Sequence, residues 1–156
     1  DLFAYTAAKL ASGVIDFEGV GPAYPVEDII VYPRKLVVAD IEGDTAKGIV
    51  SSVSDPFGSI VFNIFVKDFV KAGFAHGDLV HVLLQHNGET VFDQDVLYHK
   101  SFGFVPEGEP IIFNSSSTYV SLGLNMDSFR DKYAVGAGED WDITLTKTGK
   151  KVSVNA

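Results

Sequence analysis

Cysteine is absent from the 156 residues, which excludes thiol catalysis, disulfide frameworks and thiolate metal sites and says little about compartment. No apolar run reaches 18 residues before a charge interrupts it, so the sequence offers no membrane-spanning helix. No basic region followed by an apolar stretch opens the chain, and no signal peptide is visible in it. Positive charge is scarce: 12 Lys and Arg stand against 21 Asp and Glu, for a net charge of -9. Such a field repels a phosphate backbone, and no basic patch interleaved with aromatics overrides it, so nucleic acid is not an expected partner. The same field is compatible with a cationic small molecule. The first residue is Asp rather than Met, and the expectation is a processed, cleaved or truncated polypeptide.

What is present suffices for a core. Hydrophobic residues make up 46% of the chain, and a chain of this size folds without disulfides or a metal staple. Residues Asp1 to Gly13 carry Phe3, Ala7 and Leu10 at helical spacing, with Gly13 as a stop. Val14 to Pro33 is punctuated by Gly19, Gly21, Pro22, Pro25 and Pro33 and reads as an extended linker, partly buried at Ile29 to Val31. From there short apolar runs alternate with turn residues. Strands are expected at Leu36–Ala39, Ile49–Val53, Leu79–Leu84, Glu89–Val96, Ile111–Phe113, Tyr119–Leu124, Trp141–Leu145 and a last edge strand at Lys151–Val154, with brief helices at Ile64–Ala72 and Phe129–Tyr133. Asn87-Gly88 has hairpin composition. The fold class is mainly β: a closed or nearly closed Greek-key-like β-barrel over 34–156, preceded by one helix and a linker over 1–33.

Two segments combine small hydrogen-bonding side chains with relaxed turns. Asp55-Pro56-Phe57-Gly58-Ser59 offers a carboxylate for an ammonium group, a flat apolar wall and a glycine that admits close approach; it fits equally a proline turn beside an ordinary core Phe. Asn114 to Thr118 presents four hydroxyls and an amide that either receive a carboxylate or bond among themselves. Asn63 and Asn125 border apolar segments, where a buried amide must find partners or pin a loop. His76, His81, His86 and His99 form no ligand cluster, so a metal site is not expected. No nucleophile stands beside a base, and no phosphate-binding loop occurs.

Taken together these segments resemble the C-terminal domain of the S-adenosylmethionine hydroxide adenosyltransferase family, relatives of fluorinases and chlorinases. Asp55, Phe57-Gly58-Ser59 and Phe62-Asn63-Ile64 stand where the family has Asp, Phe-Gly-Asn and Thr-Asn-Ile; Asn114-Ser115-Ser116-Ser117 through Gly123-Leu124-Asn125 follows its second motif. Ala72-Gly73-Phe74, His76-Gly77-Asp78, Tyr98, Glu107 to Pro110, and Gly136 and Gly138 before Trp141 also fit, and Asp1 to Ala8 is similar to the helix that closes the family's N-terminal domain.

The resemblance implies a missing α/β N-terminal domain, a homotrimer with the ligand between subunits, and a cytoplasmic location. S-adenosyl-L-methionine would be substrate, with no cofactor and no metal, and water or hydroxide would attack ribose C5′ to leave adenosine and methionine. Asp55 would hold the methionine ammonium and Ser116 with Ser117 its carboxylate. Phe57, Ser59, Leu124, Asn125 and Met126 would surround adenine, and the catalytic residues would lie in the missing domain. Ser59 in place of Asn removes a donor–acceptor pair from the adenine edge, and Phe62 in place of a small hydroxyl residue narrows the pocket or fills the core. Two alternatives accompany this reading: a non-catalytic nucleoside-binding or assembly module, and a halide-using halogenase.

Overall fold

The computed structural model describes residues 2–153; the expected helix start at Asp1 and the end of the expected strand at Val154 lie outside the described residues. Contacts divide the chain into one unit that runs to Tyr32 and another from Pro33 onward. In the first, helix α1 (Leu2–Ala11) is followed by Gly13 at φ +71°, a left-handed position that glycine takes without strain. Two 3-10 turns follow, Glu18–Val20 and Val26–Asp28, and none of these elements buries a residue. The expected partial burial of Ile29 to Val31 is not found: Ile30 and Val31 are 81% and 83% exposed. Main-chain hydrogen bonds here join near neighbours in sequence, so no strand or helix face within the unit covers these side chains.

The second unit opens with a single helical turn, α2 (Arg34–Val37), where the apolar run suggests a strand. The Val38 N–H donates to the Arg34 carbonyl, and the chain becomes extended only at Val38; Pro33 at φ −52° presets the turn. The strands then follow as β1 (Asp40–Glu42), β2 (Thr45–Val53), β3 (Ile60–Phe65), helix α3 (Val66–Lys71), β4 (Asp78–His86), β5 (Glu89–Tyr98), β6 (Pro110–Asn114), β7 (Tyr119–Leu124), helix α4 (Phe129–Tyr133) and β8 (Trp141–Lys151). Asn87 and Gly88 both take positive φ between β4 and β5, as a two-residue hairpin with right-handed strand twist requires.

Seven strands close a barrel in the order β2-β3-β7-β6-β5-β4-β8, with β8 returning to β2, and β1 adds a short ladder beside β2. Neighbours are antiparallel except β5 and β6, which pair in parallel through Leu97 and Ile111. The strand expected at Trp141–Leu145 runs on to Lys151 as one strand of 11 residues, paired to β2 and β4 through residues 142–146 and to β4 alone beyond them. Val152 and Ser153 of the expected last strand lie outside it. Side chains alternate along each strand. Ile60, Phe62 and Ile64, Val80, Val82 and Leu84, and Val120, Leu122 and Leu124 fill the interior. Val61 and Asn63 on β3 and Ser121 and Gly123 on β7 therefore belong to the outer face. Among the described residues no helix is long and apolar enough to cross a membrane.

Candidate functional site

β2 and β3 are joined by a loop closed on itself: the Ser54 N–H donates to the Ser59 carbonyl at 2.7 Å and the Gly58 N–H to the Ser54 carbonyl at 2.8 Å. The Asp55–Pro56 bond inside it is cis, and Gly58 has φ +66°. Glycine is required there for a second reason. A Cβ at Gly58 would stand 2.7 Å from Ser128 Cβ and 3.0 Å from its Cα. The loop thus lies directly on the turn between β7 and α4. The Arg130 N–H donates to the Gly58 carbonyl at 2.9 Å, and the Arg130 guanidinium donates to the Asp55 carboxylate.

The turn after β7 is equally fixed. Asn125 donates through Nδ2 to the Val105 carbonyl at 2.9 Å, while its main chain bonds Glu109 and Gly108. Asp127 accepts from the Ser128 N–H, and Ser128 caps α4 by accepting the Asp131 N–H at 3.1 Å, satisfying an end group the helix cannot satisfy itself. On this rim Phe57 and Met126 are 73% and 83% exposed, Leu124 is in the core, and Ser59 is buried against Gly123, where a Cβ would come within 2.5 Å of Ser59 Oγ. Arg130 holds its proton more firmly than usual, first through its hydrogen bond to Asp131 and then through Asp55. Asp131 is held below the ordinary carboxylate range, first by its hydrogen bond with Ser128 and then by Arg130.

Asp55, Phe57, Ser59, Leu124, Asn125 and Met126 are therefore gathered on one rim. Ser116 and Ser117 are not among them. β3 and β7 run antiparallel, with Ile60 opposite Leu122 and Phe65 opposite Tyr119, so the turn before β7 sits at the far end of the pair, where Thr118 accepts from Val66 N–H. Between those paired positions β3 advances five residues and β7 three, about 10–16 Å at about 3.3 Å per residue. The expectation of two facing walls is thus not met along this strand pair: Asp55 belongs to the loop at one end of β3 and Ser116 with Ser117 to the turn at the other. Within the far turn Ser115 Oγ lies 2.8 Å from Ser117 Oγ and donates to the Tyr119 carbonyl, the self-bonding arrangement that the residue types also allowed.

Asn63 pins a segment: its Oδ1 accepts the Ile49 N–H at 2.8 Å and its Nδ2 donates to the Lys35 carbonyl at 2.8 Å. It borders an open groove of about 640 Å³ whose walls include Arg34, Ile41, Phe65 and Lys71. None of the eight candidate residues lines that groove, and its charges are mixed, with Arg34 already paired to Asp40 at 2.7 Å.

Two groups at the site carry no periodic signal in the sequence. Arg130 lies in a short amphipathic helix among other charges. Phe102 belongs to a 3-10 turn, Phe102–Phe104, and its ring approaches within 3.1 Å of a Cβ placed at Gly123. The aromatic–glycine–aromatic run in an otherwise irregular segment was the available clue.

Fold and rim together define a small closed barrel whose distinguishing surface is one strand-end loop locked to the turn after β7. Residues 52–142, more than half of the chain, match the SAM hydroxide adenosyltransferase C-terminal domain family, and the chain belongs to that family. It is 27% identical over 148 residues to the fluorinase of Actinoplanes sp. (strain N902-109), covering 94% of this chain and 47% of the relative. It is 28% identical over 148 residues to the (R)-S-adenosyl-L-methionine hydrolase of Thermus thermophilus, covering 93% and 47%. Among solved structures, it resembles an uncharacterized conserved protein from Thermotoga maritima with a TM-score of 0.66 at 24% identity, covering 94% of this chain and 51% of that one. A conserved hypothetical protein from Thermus thermophilus gives 0.53 at 28% identity, covering 93% and 51%. The chain spans about half the length of the curated relatives it matches.

Proposed function

We propose that this barrel is the C-terminal part of an enzyme that hydrolyses S-adenosyl-L-methionine, with the nucleophile and its activating groups on an N-terminal α/β domain and the site at a subunit interface of a homotrimer. Family membership together with the rim geometry supports this, and the single observation that carries it is the Phe57–Ser59 loop seated against Gly123 to Ser128. Both family motifs supply that contact.

The base would lie against Phe57, Ser59 and the Leu124–Met126 turn. The amino-acid portion would run lengthwise along β3 and β7 toward Ser116 and Ser117, whose hydroxyls would meet the carboxylate. Asp55 would stay paired with Arg130. In the reaction a water oxygen forms a bond to C5′ as the C5′–S bond breaks. The electron pair remains on sulfur, which becomes the neutral thioether of methionine, and the water gives up a proton. A sulfonium departs readily, so positioning and desolvation of the oxygen would supply much of the acceleration. The acidic chain favours a cationic substrate over its neutral product.

Product analysis of the full-length protein with S-adenosyl-L-methionine, with and without fluoride or chloride, tests the reading. Adenosine and methionine in equimolar amounts regardless of halide are expected. A 5′-halogenated nucleoside appearing only with halide would assign the chain to the halogenating branch, and no consumption would leave a binding or assembly module. Ser116→Ala should raise KM for S-adenosyl-L-methionine while leaving adenosine affinity unchanged; equal loss for both ligands would remove the lengthwise placement.

A further inference from the structure

We infer that the free edge of β1 is a docking site for an extended segment of another polypeptide, one that carries an apolar residue between two cations. It sits beside the start of β2, away from the Ser54–Ser59 loop at that strand's end, and does not depend on the function proposed above.

Two residues open the barrel wall here. β2 and β3 pair at Val53 with Ile60, Ser52 with Val61 and Val50 with Phe62, and no further. At the next step the Ile49 N–H turns to Asn63 Oδ1, and a Cβ at Gly48 would collide with that same oxygen. The Asn63 side chain thus stands where the ladder would continue. From Thr45 to Ile49 the other flank of β2 belongs to β8, so β1, paired to Thr45–Lys47, takes the flank that β3 has left. The groove of about 640 Å³ lies beside it, lined by Ala39 and Ile41 and by Phe65, Asp68 and Lys71.

That edge is open. Gly43 and Asp44 make a two-residue hairpin loop, so Glu42 with Thr45 and Asp40 with Lys47 are the hydrogen-bonded pairs. Ile41, between them, turns its N–H and C=O away from β2. Outside the β1–β2 ladder, no hydrogen bond among the described residues reaches Ile41 or Ala39. Main-chain groups left in this state are a template for an added strand.

Side chains choose the guest. Ala39 and Ile41 pack toward the core, whereas Asp40 and Glu42 are exposed. An added strand sets an apolar residue opposite Ile41 and that residue's neighbours opposite Asp40 and Glu42, where cations are favoured and acids repelled. Asp40 already meets Arg34 at 2.7 Å, but both are well exposed, and such a pair is worth little. Glu42 and Asp68 have no ion pair among the described residues. A second copy of β1 is a poor guest, because pairing centred on Ile41 sets Asp40 against Glu42 twice. The 156 residues contain no cation–apolar–cation triplet, which assigns the guest to a different polypeptide.

Fluorescence anisotropy with the labelled peptide acetyl-Thr-Lys-Val-Lys-Thr-amide, added to the full-length protein, tests the assignment. Saturable binding is expected, weakened by salt, with slowed hydrogen exchange at Ile41. Methylating the valine nitrogen of the peptide should abolish it, because that N–H would donate to the Ile41 carbonyl. Glu42→Lys should weaken binding about tenfold, since a cross-strand attraction becomes a repulsion, and should take the Thr-Glu-Val-Glu-Thr counterpart instead. Glu42 is exposed and unpaired, so this variant keeps the fold. Equal binding of the methylated peptide, or binding indifferent to Glu42→Lys, would reveal mere attraction to an acidic surface and overturn the proposal. No binding at all, as when the protein's own chain covers the edge, would overturn it too. Dimers that dissociate in Ile41→Pro, which lacks the outward N–H, would give the edge to a second copy and remove the guest.

Discussion

Arg130 donates its guanidinium to the carboxylate of Asp55, 75 positions earlier in the chain, so that one ion pair ties the β2–β3 loop to helix α4. The carboxylate is well exposed, and exposed pairs contribute little. Arg130→Gln should lower stability by less than about 1 kcal/mol by urea unfolding, since the Arg130 N–H to Gly58 bond survives the change. The pair should also weaken with salt. A loss well above that range would make the ion pair the element that orders the loop.

Gly58→Ala should be far more damaging. It places a Cβ on Ser128 and demands a left-handed backbone of a residue that disfavours it; strain of about 1–2 kcal/mol and overpacking of about 1–3 kcal/mol combine. Adding Ser128→Gly should recover only the overpacking part, a separation that a double-mutant cycle by urea denaturation reads directly. Full recovery would show that backbone conformation is not limiting.

Asn63→Ala should cost about 1–3 kcal/mol, because it leaves the buried Ile49 N–H without its acceptor, while the Lys35 carbonyl belongs to an exposed residue that reaches water. Hydrogen exchange at Ile49 should accelerate beyond that of its strand neighbours. An unchanged rate there would mean that the amide only fills space.

His99 supplies a pH dependence. Burial first, then His76 and Lys100, lower its affinity for a proton. In the unfolded chain the imidazole titrates near about pH 6.5, so below that value the unfolded form binds more protons than the folded one. Stability should therefore be intact above about pH 6.5 and decline as pH falls toward the folded titration. His99→Gln should flatten thermal stability in that window. The depressed carboxylates Asp131 and Asp140 act elsewhere, since their contributions disappear only below the ordinary carboxylate value of about 3.9.

Much of the barrel was legible because strand alternation and turn chemistry agree: Asn87-Gly88 and Tyr119–Leu124 each point one way. The strand Ile60–Phe65 was not expected, because its apolar run leads straight into helix α3 without a turn residue between them. Leu36 to Ala39 misled because a run of four apolar residues is compatible with a single turn when a preceding proline sets it, and the pairing of β1 decides only later. The end of β8 was cut short because residues 147–151 are polar and pair with β4 alone, so no apolar alternation marks them as strand. At the site, residue types revealed the loop and the turn after β7 but not their relation to Ser116 and Ser117. That relation depends on β3 and β7 being antiparallel neighbours, a pairing over 50 residues apart in sequence that periodicity does not encode.

Of the barrel's staves, the last to leave the ribosome is the one that completes the ring. Since β8 bonds β2 on one flank and β4 on the other, every nascent form lacking it presents two unsatisfied borders at once, each a template for another strand. Truncations short of Trp141 should thus aggregate rather than survive as smaller folds, and a chaperone that shields such borders would matter most just before β8 emerges.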